Sequence, residues 1–219
     1  MKMRKIFVVS IFLLISSFVY AAPFGLKMGM TIAEIAQECE EYPAFVEEGI
    51  YSVTPLKKHP LFSTYYVYVH DNVGLYQIWA ISDSITCNKY GTELQNDFNN
   101  VKDRISKTYG TPRVINKVDP AISSFLQEDE YWFLTLKEGS RQLSAIWGER
   151  VELVDDLFGV ILTCIPESKC LQIIHSDMLS MMLLDCITEL GYLDGRGRLV
   201  LAYSFSNAQS VEDEQDEVF

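Results

Sequence analysis

Positive charge is scarce in this 219-residue chain: 18 Lys and Arg stand against 30 Asp and Glu, a net charge of −12. Nucleic-acid affinity rests on clustered cations that neutralise phosphates, so a polyanionic ligand is disfavoured from the outset. Histidine is scarcer still, limited to His59, His70 and His175. The motifs of the common chemistries are missing as well. There is no G-x-S-x-G nucleophile elbow, no H-E-x-x-H helix, no P-loop and no G-x-G-x-x-G turn. Cysteines never fall at C-x-x-C spacing, which removes the usual structural zinc site. No D-x-D-x-D-G calcium loop occurs. Neither a metal nor a cofactor is expected. A long apolar run exists only at the N-terminus, and it is shorter than the about 20 residues that a spanning helix needs.

That run marks residues 1–21 as a signal peptide. Lys2, Arg4 and Lys5 form a positive start, Ile6 to Val19 an apolar centre, and Val19-Tyr20-Ala21 a small-x-small cleavage site. Cutting one residue later would put bulky Tyr20 in the site and Pro23 just beyond it. No cysteine follows the cut, so no lipid anchor is expected. Removing 21 of 219 residues leaves 198, enough for one domain with a sizeable core or two small ones. Three cations leave with the leader, which takes the net charge from −12 to −15. The sequence therefore predicts a periplasmic or secreted protein without a stable membrane anchor. Its acidity suits a basic protein partner reached by electrostatic steering.

An apolar content of 48%, with 12 Tyr, 12 Phe and 3 Trp, is the composition of a folded globule. Only residues 207–219 read as a solvated acidic tail. All five cysteines lie after the leader, in an oxidising compartment. Cys164 and Cys170 flank Ile-Pro-Glu-Ser-Lys, and a hairpin there would set them nearly opposite each other. Cys39 with Cys87 is the looser expected pair, which leaves Cys186 over.

Thr31-Ile-Ala-Glu34 is a capping box, with Met30 and Ile35 placed as its hydrophobic staple. A second helix opens at Thr92-Glu-Leu-Gln95, another capping-box pattern with Thr92 as the cap, carries Leu94, Phe98, Val101 and Ile105 on one face, and stops at Gly110. Strand-like sequence follows each helix. The first set is Ile50–Thr54, Thr64–His70 and Leu75–Ile81. The second is Tyr131–Leu136, Arg141–Trp147, Leu157–Ile165, Cys170–Ile174 and Arg198–Phe205, with a short helix over Pro120–Gln127 and a glycine-rich turn at Asp194–Gly197. This pattern predicts an α+β fold: antiparallel sheet with helices packed on one face, as two tandem helix-plus-meander units. The expected boundaries are 22–90 for the first unit and 91–206 for the second, which carries an inserted helix over 176–190.

Gly25-Leu-Lys-Met-Gly-Met-Thr-x-x-Glu-Ile resembles the helix opening of small bacterial envelope proteins of the SmpA/BamE kind. Lys107-Thr-Tyr-Gly-Thr-Pro112, followed by Tyr131-Trp132-Phe133, is similar to the helix exit and first strand of that fold. Proteins of the β-lactamase-inhibitor-protein kind are similar in architecture, with two tandem helix-plus-sheet units. The resemblance covers roughly a tenth of the chain and consists of capping and turn signals. It implies binding to other envelope proteins and not catalysis.

The residues offer few alternatives to that reading. A Cys170/His175/Asp177 thiol site, or Cys186 with His175, would make a hydrolase. A Cys170 disulfide abolishes the first. Asp155-Asp156 and Glu128-Asp129-Glu130 are carboxylate groups of the kind common in surface turns. Aromatic residues at Tyr65–Tyr68, Tyr76 and Trp79 offer rings on which a sugar stacks, although such rings are more often sheet core. In the helix expected over 176–190, Leu179, Met182, Leu183, Cys186, Ile187 and Leu190 make one apolar face, while Met178, Met181 and Leu184 form a second stripe among polar residues. Methionine adapts to varied contacts, so Met178, Met181 and Leu184 are the expected partner-binding residues. The leading expectation is a non-catalytic interaction module of the bacterial envelope, such as an inhibitor or immunity protein for a basic enzyme. The alternatives are a hydrolase using the His175 region and a small-ligand (sugar) binder.

Overall fold

Thr31 starts α1 (Ile32–Gln37) through the expected capping box: its hydroxyl accepts from the Glu34 amide, and the Glu34 carboxylate accepts from the Thr31 amide at 2.8 Å. The computed structural model describes residues 22–148, 157–166 and 195–211. After α1 the chain runs through β1 (Ala44–Glu47), β2 (Ile50–Val53), β3 (Phe62–His70), β4 (Gly74–Ser82) and β5 (Ile85–Cys87). The second half begins with α2 (Thr92–Tyr109), continues through β6 (Arg113–Val118), α3 (Trp132–Lys137) and β7 (Arg141–Trp147), and ends with β8 (Leu157–Pro166) and β9 (Gly195–Phe205).

The nine strands among the described residues join one antiparallel sheet in the order β1-β2-β3-β4-β9-β8-β7-β6, with β5 beside the first residues of β9. Each half enters the sheet at an outer edge and works inward, so β4 of the first half and β9 of the second meet at the centre. The result is an α+β fold in which a helix followed by a meander occurs twice, related by that central pair.

Alternation sorts the strands into two faces. Leu199, Leu201, Tyr203 and Phe205 of β9 join Leu94, Phe98 and Val101 of α2 in the main core, with Tyr65, Val67, Ile78 and Ala80 from β3 and β4. The intervening residues point the other way, and at the sheet centre they are buried too: Trp79, Ile81, Val200 and Ala202 are each at most 2% exposed. The centre of neither face is open to a partner.

Four expectations are corrected. Tyr131–Leu136 is not a strand: Trp132–Lys137 is α3, because Trp132, Phe133 and Leu136 recur at helical spacing and are all buried. The strand that follows α2 is β6, an exposed edge that pairs β7 from Arg113↔Ile146 to Val118↔Arg141. Thr92 does not cap α2. The Asn88 side-chain oxygen accepts from the Thr92 amide at 3.2 Å and from the Tyr90 amide at 3.0 Å, and Gly91 is left-handed at φ 63°. Gly195–Gly197 is not a turn but the start of β9, paired to Cys87 and Ile85. The short helix expected over Pro120–Gln127 is a 3₁₀ turn over Ser124–Gln127. Cys170–Ile174 and the helix expected over 176–190 lie outside the described residues.

Candidate functional site

Three places on the described surface have the shape or chemistry to bind something. The first is the outer edge at β1. Its backbone pairs β2 on one side only, and among the described residues no strand covers the other. Tyr42 is 70% exposed, Phe45 69% and Leu56 57%. A Cys39–Pro55 bridge and the Leu56 amide donating to the Glu38 carbonyl at 2.9 Å tie the segment before β1 to the one after β2. Glu41 and Glu48 flank Tyr42 and Phe45 in sequence and are exposed, and Glu40, also exposed, pairs with Lys58 at 2.8 Å. A free strand edge with protruding rings is a template for an added strand.

The second is an apolar groove where the two halves meet on the helix-bearing face. Phe62 of β3, Leu201 and Tyr203 of β9, and Val101 and Ile105 of α2 line about 220 Å³. Phe24 lines the groove as well. Among the described residues it is the one non-glycine at positive φ (58°), and its ring meets Tyr65 and Tyr203 edge-on at 4.9 and 5.8 Å. Tyr65 fixes the loop above: its hydroxyl accepts from the His59 amide and donates to the Phe62 carbonyl, each at 3.1 Å. Burial, aided by the Arg104 charge, holds the His59 imidazole below its ordinary pKa. Burial also drives the Tyr203 phenol up, so this groove carries no anion of its own.

The third is a polar cleft of about 360 Å³ between α2 and β6, where Gln95, Asn96 and Asn116 face Tyr90, Trp132 and Arg141. Arg141 is held there by donating its Nε–H to the Thr135 hydroxyl at 2.9 Å, with the Trp132 ring beneath it. Carboxamides of this kind donate to and accept from hydroxyl-rich ligands.

The residues singled out in the sequence meet varied fates. Met178, Met181, Leu184, Cys170, His175, Asp177, Cys186 and Asp155-Asp156 lie outside the described residues. Cys39, Cys87 and Cys164 are free, buried thiols, so neither expected disulfide is formed in the structure. Cys39 lies by Thr54 and Glu38, and Cys87 by Leu94, Glu93 and Gly197. Burial pushes Cys87 up to about 11 and raises Cys164 well above its ordinary value, which suits inert core thiols and not nucleophiles. Glu130 forms an ion pair with Lys89 at 3.0 Å. His70 closes a turn by accepting the Asn72 amide at its Nδ1.

The aromatic residues do not form one open platform. Tyr65 is buried in the main core. Tyr68 sits on the opposite face, 5.3 Å from the Trp79 ring and 6.1 Å from Tyr76. Sequence reasoning missed the β1 edge and both concavities. Tyr42 and Phe45 flanked by glutamates were the available signal for the edge; the concavities are assembled from distant segments.

Among the described residues no group of three His, Cys, Asp or Glu stands ready to hold a metal, and no helix is long and apolar enough to cross a membrane. No family model, no curated protein and no solved structure matches the chain.

Proposed function

We propose that this protein is an exported, non-catalytic interaction module that binds a basic protein partner by strand addition at β1. The observation that carries the reading is the free β1 edge with Tyr42 and Phe45 protruding from it. Proteins normally blunt such edges, so large exposed rings there are functional features. The flanking glutamates and the overall charge of −12 select cationic segments. Main-chain hydrogen bonds supply affinity in such complexes, while alternate side chains read the added strand. The Met178, Met181 and Leu184 stripe belongs to the same reading as a second contact.

Capture and crosslinking from the native envelope, with the leader-free chain as bait, test the proposal. A basic protein held by wild type and lost from Phe45→Asp is the expected result. A residue at the centre of an interface is worth about 2 kcal/mol, hence roughly thirtyfold in affinity. Phe125, 53% exposed far from the edge, gives the control Phe125→Asp, which keeps the partner. Met181→Glu runs alongside to weigh the stripe. Equal capture by the Phe45 and Phe125 variants overturns the edge reading, provided both melt as wild type does.

A further inference from the structure

The rim of the apolar groove presents two hydrogen-bond donors to each other. The Leu61 amide donates to His59 Nδ1 at 3.2 Å, which places the proton of the neutral ring on Nε2. That Nε2 lies 3.5 Å from Arg104 Nη1. Guanidinium nitrogens never accept, so an N–H faces an N–H and neither bonds the other well. Arg104 makes no ion pair among the described residues, in a protein where Lys58, Lys89 and Lys102 each have a carboxylate within 3.6 Å. Below the two donors the groove turns apolar, with Phe24, Phe62, Ile105 and Leu201 as its walls.

We propose that this groove binds a medium-chain carboxylate, the head between Arg104 and His59 and the chain along Phe24 and Phe62. A carboxylate oxygen accepts from both donors at once, and its charge answers that of Arg104. The volume of about 220 Å³ holds roughly seven water-sized groups, which sets the chain near eight carbons. The position follows from the architecture: α2 packs on β5, β8 and β9, across the junction of the two halves, and such junctions are where ligand sites form. Phe24 supports the assignment, because a bulky residue held at positive φ marks a place where side-chain position matters more than backbone comfort. The proposal does not depend on the β1 edge, which lies in the first half's outer strands.

The test titrates the leader-free chain with octanoate, hexanoate and octanol by calorimetry. Octanoate is expected to bind at one saturable site, about fourteenfold more tightly than hexanoate, from about fourfold per methylene. Octanol is expected at least tenfold weaker, because it lacks the charged head. Arg104→Gln brings octanoate down to the level of octanol. Thr108 is an exposed α2 residue at the groove, and Thr108→Trp fills the mouth and abolishes binding of both ligands without altering the melting temperature. Uptake that never saturates, octanol binding equal to octanoate, or octanoate binding unchanged in both variants overturns the proposal.

Discussion

Gly91 shows how a single residue fixes a local arrangement. It precedes α2 at φ 63°, and a Cβ there would lie 2.1 Å from the Trp132 ring. Backbone conformation and close approach both demand glycine. Gly195 does the same for Phe133, 2.6 Å from the position a Cβ would take. Two glycines from distant parts of the chain thereby seat the two large rings of α3, and the Phe133 amide donates to the Lys89 carbonyl at 3.0 Å to complete the seat. Gly91→Ala is expected to destabilise the protein by about 2–5 kcal/mol, the sum of a left-handed alanine and an overpacked core. Urea denaturation measures it, and a loss below about 0.5 kcal/mol would show that Trp132 moves aside freely.

At the scale of elements, the junction of β4 and β5 is the least regular part of the sheet centre. Ile81 pairs Val200 and Ile85 pairs Gly197, so three residues on one side oppose two on the other. Such a bulge leaves ladder groups without strand partners. Ser82 repairs it. Its hydroxyl accepts from the Leu199 amide at 2.9 Å and donates to the Asp83 carbonyl at 2.8 Å, while its carbonyl accepts from Arg198 Nη1 at 2.8 Å. The side chain is fully buried, so Ser82→Ala leaves the Leu199 amide unsatisfied. A cost of about 1–3 kcal/mol is expected in thermal or urea unfolding. An unchanged stability would mean that water reaches the junction.

The same scale shows how far the sequence could be read. The strand at Arg141–Trp147 and the cores of β3, β4, β8 and β9 were legible, because β-branched and aromatic residues cluster there between turn signals. Helix α2 was legible from Leu94, Phe98, Val101 and Ile105. The segment Trp132–Lys137 was not, since its aromatic and threonine content suits a strand as well as a helix and only its docking against Gly91 and Gly195 decides. β1 and β6 were missed for a related reason. Edge strands bury little, so they carry no apolar alternation to read.

For the whole molecule, the order of strands ties the first half to the last residues of the chain. Among the described residues β9 is the last strand in sequence, yet it lies at the sheet centre, holding β4 and β5 on one side and β8 on the other. The halves therefore share one core, and neither closes its sheet without β9. A chain ending at residue 194 is expected to lose cooperative unfolding altogether, read by calorimetry and near-ultraviolet circular dichroism. A retained transition would show instead that the first half folds alone. Pairing between distant segments also predicts folding on the millisecond-to-second scale of sheet-rich proteins.

By itself the sequence determined the fold class, the capping box of α1, the face that α2 buries and the positions of most strands, because these follow from local periodicity and backbone preference. Tertiary structure alone decided that the two meanders fuse through β4 and β9, that Trp132–Lys137 is helical, and that Cys39 and Cys87 are buried as free thiols. It alone brought His59 beside Arg104 and left Phe45 on an open edge. These are matters of which distant surfaces meet, and contact between residues far apart in the chain leaves no periodic trace along it.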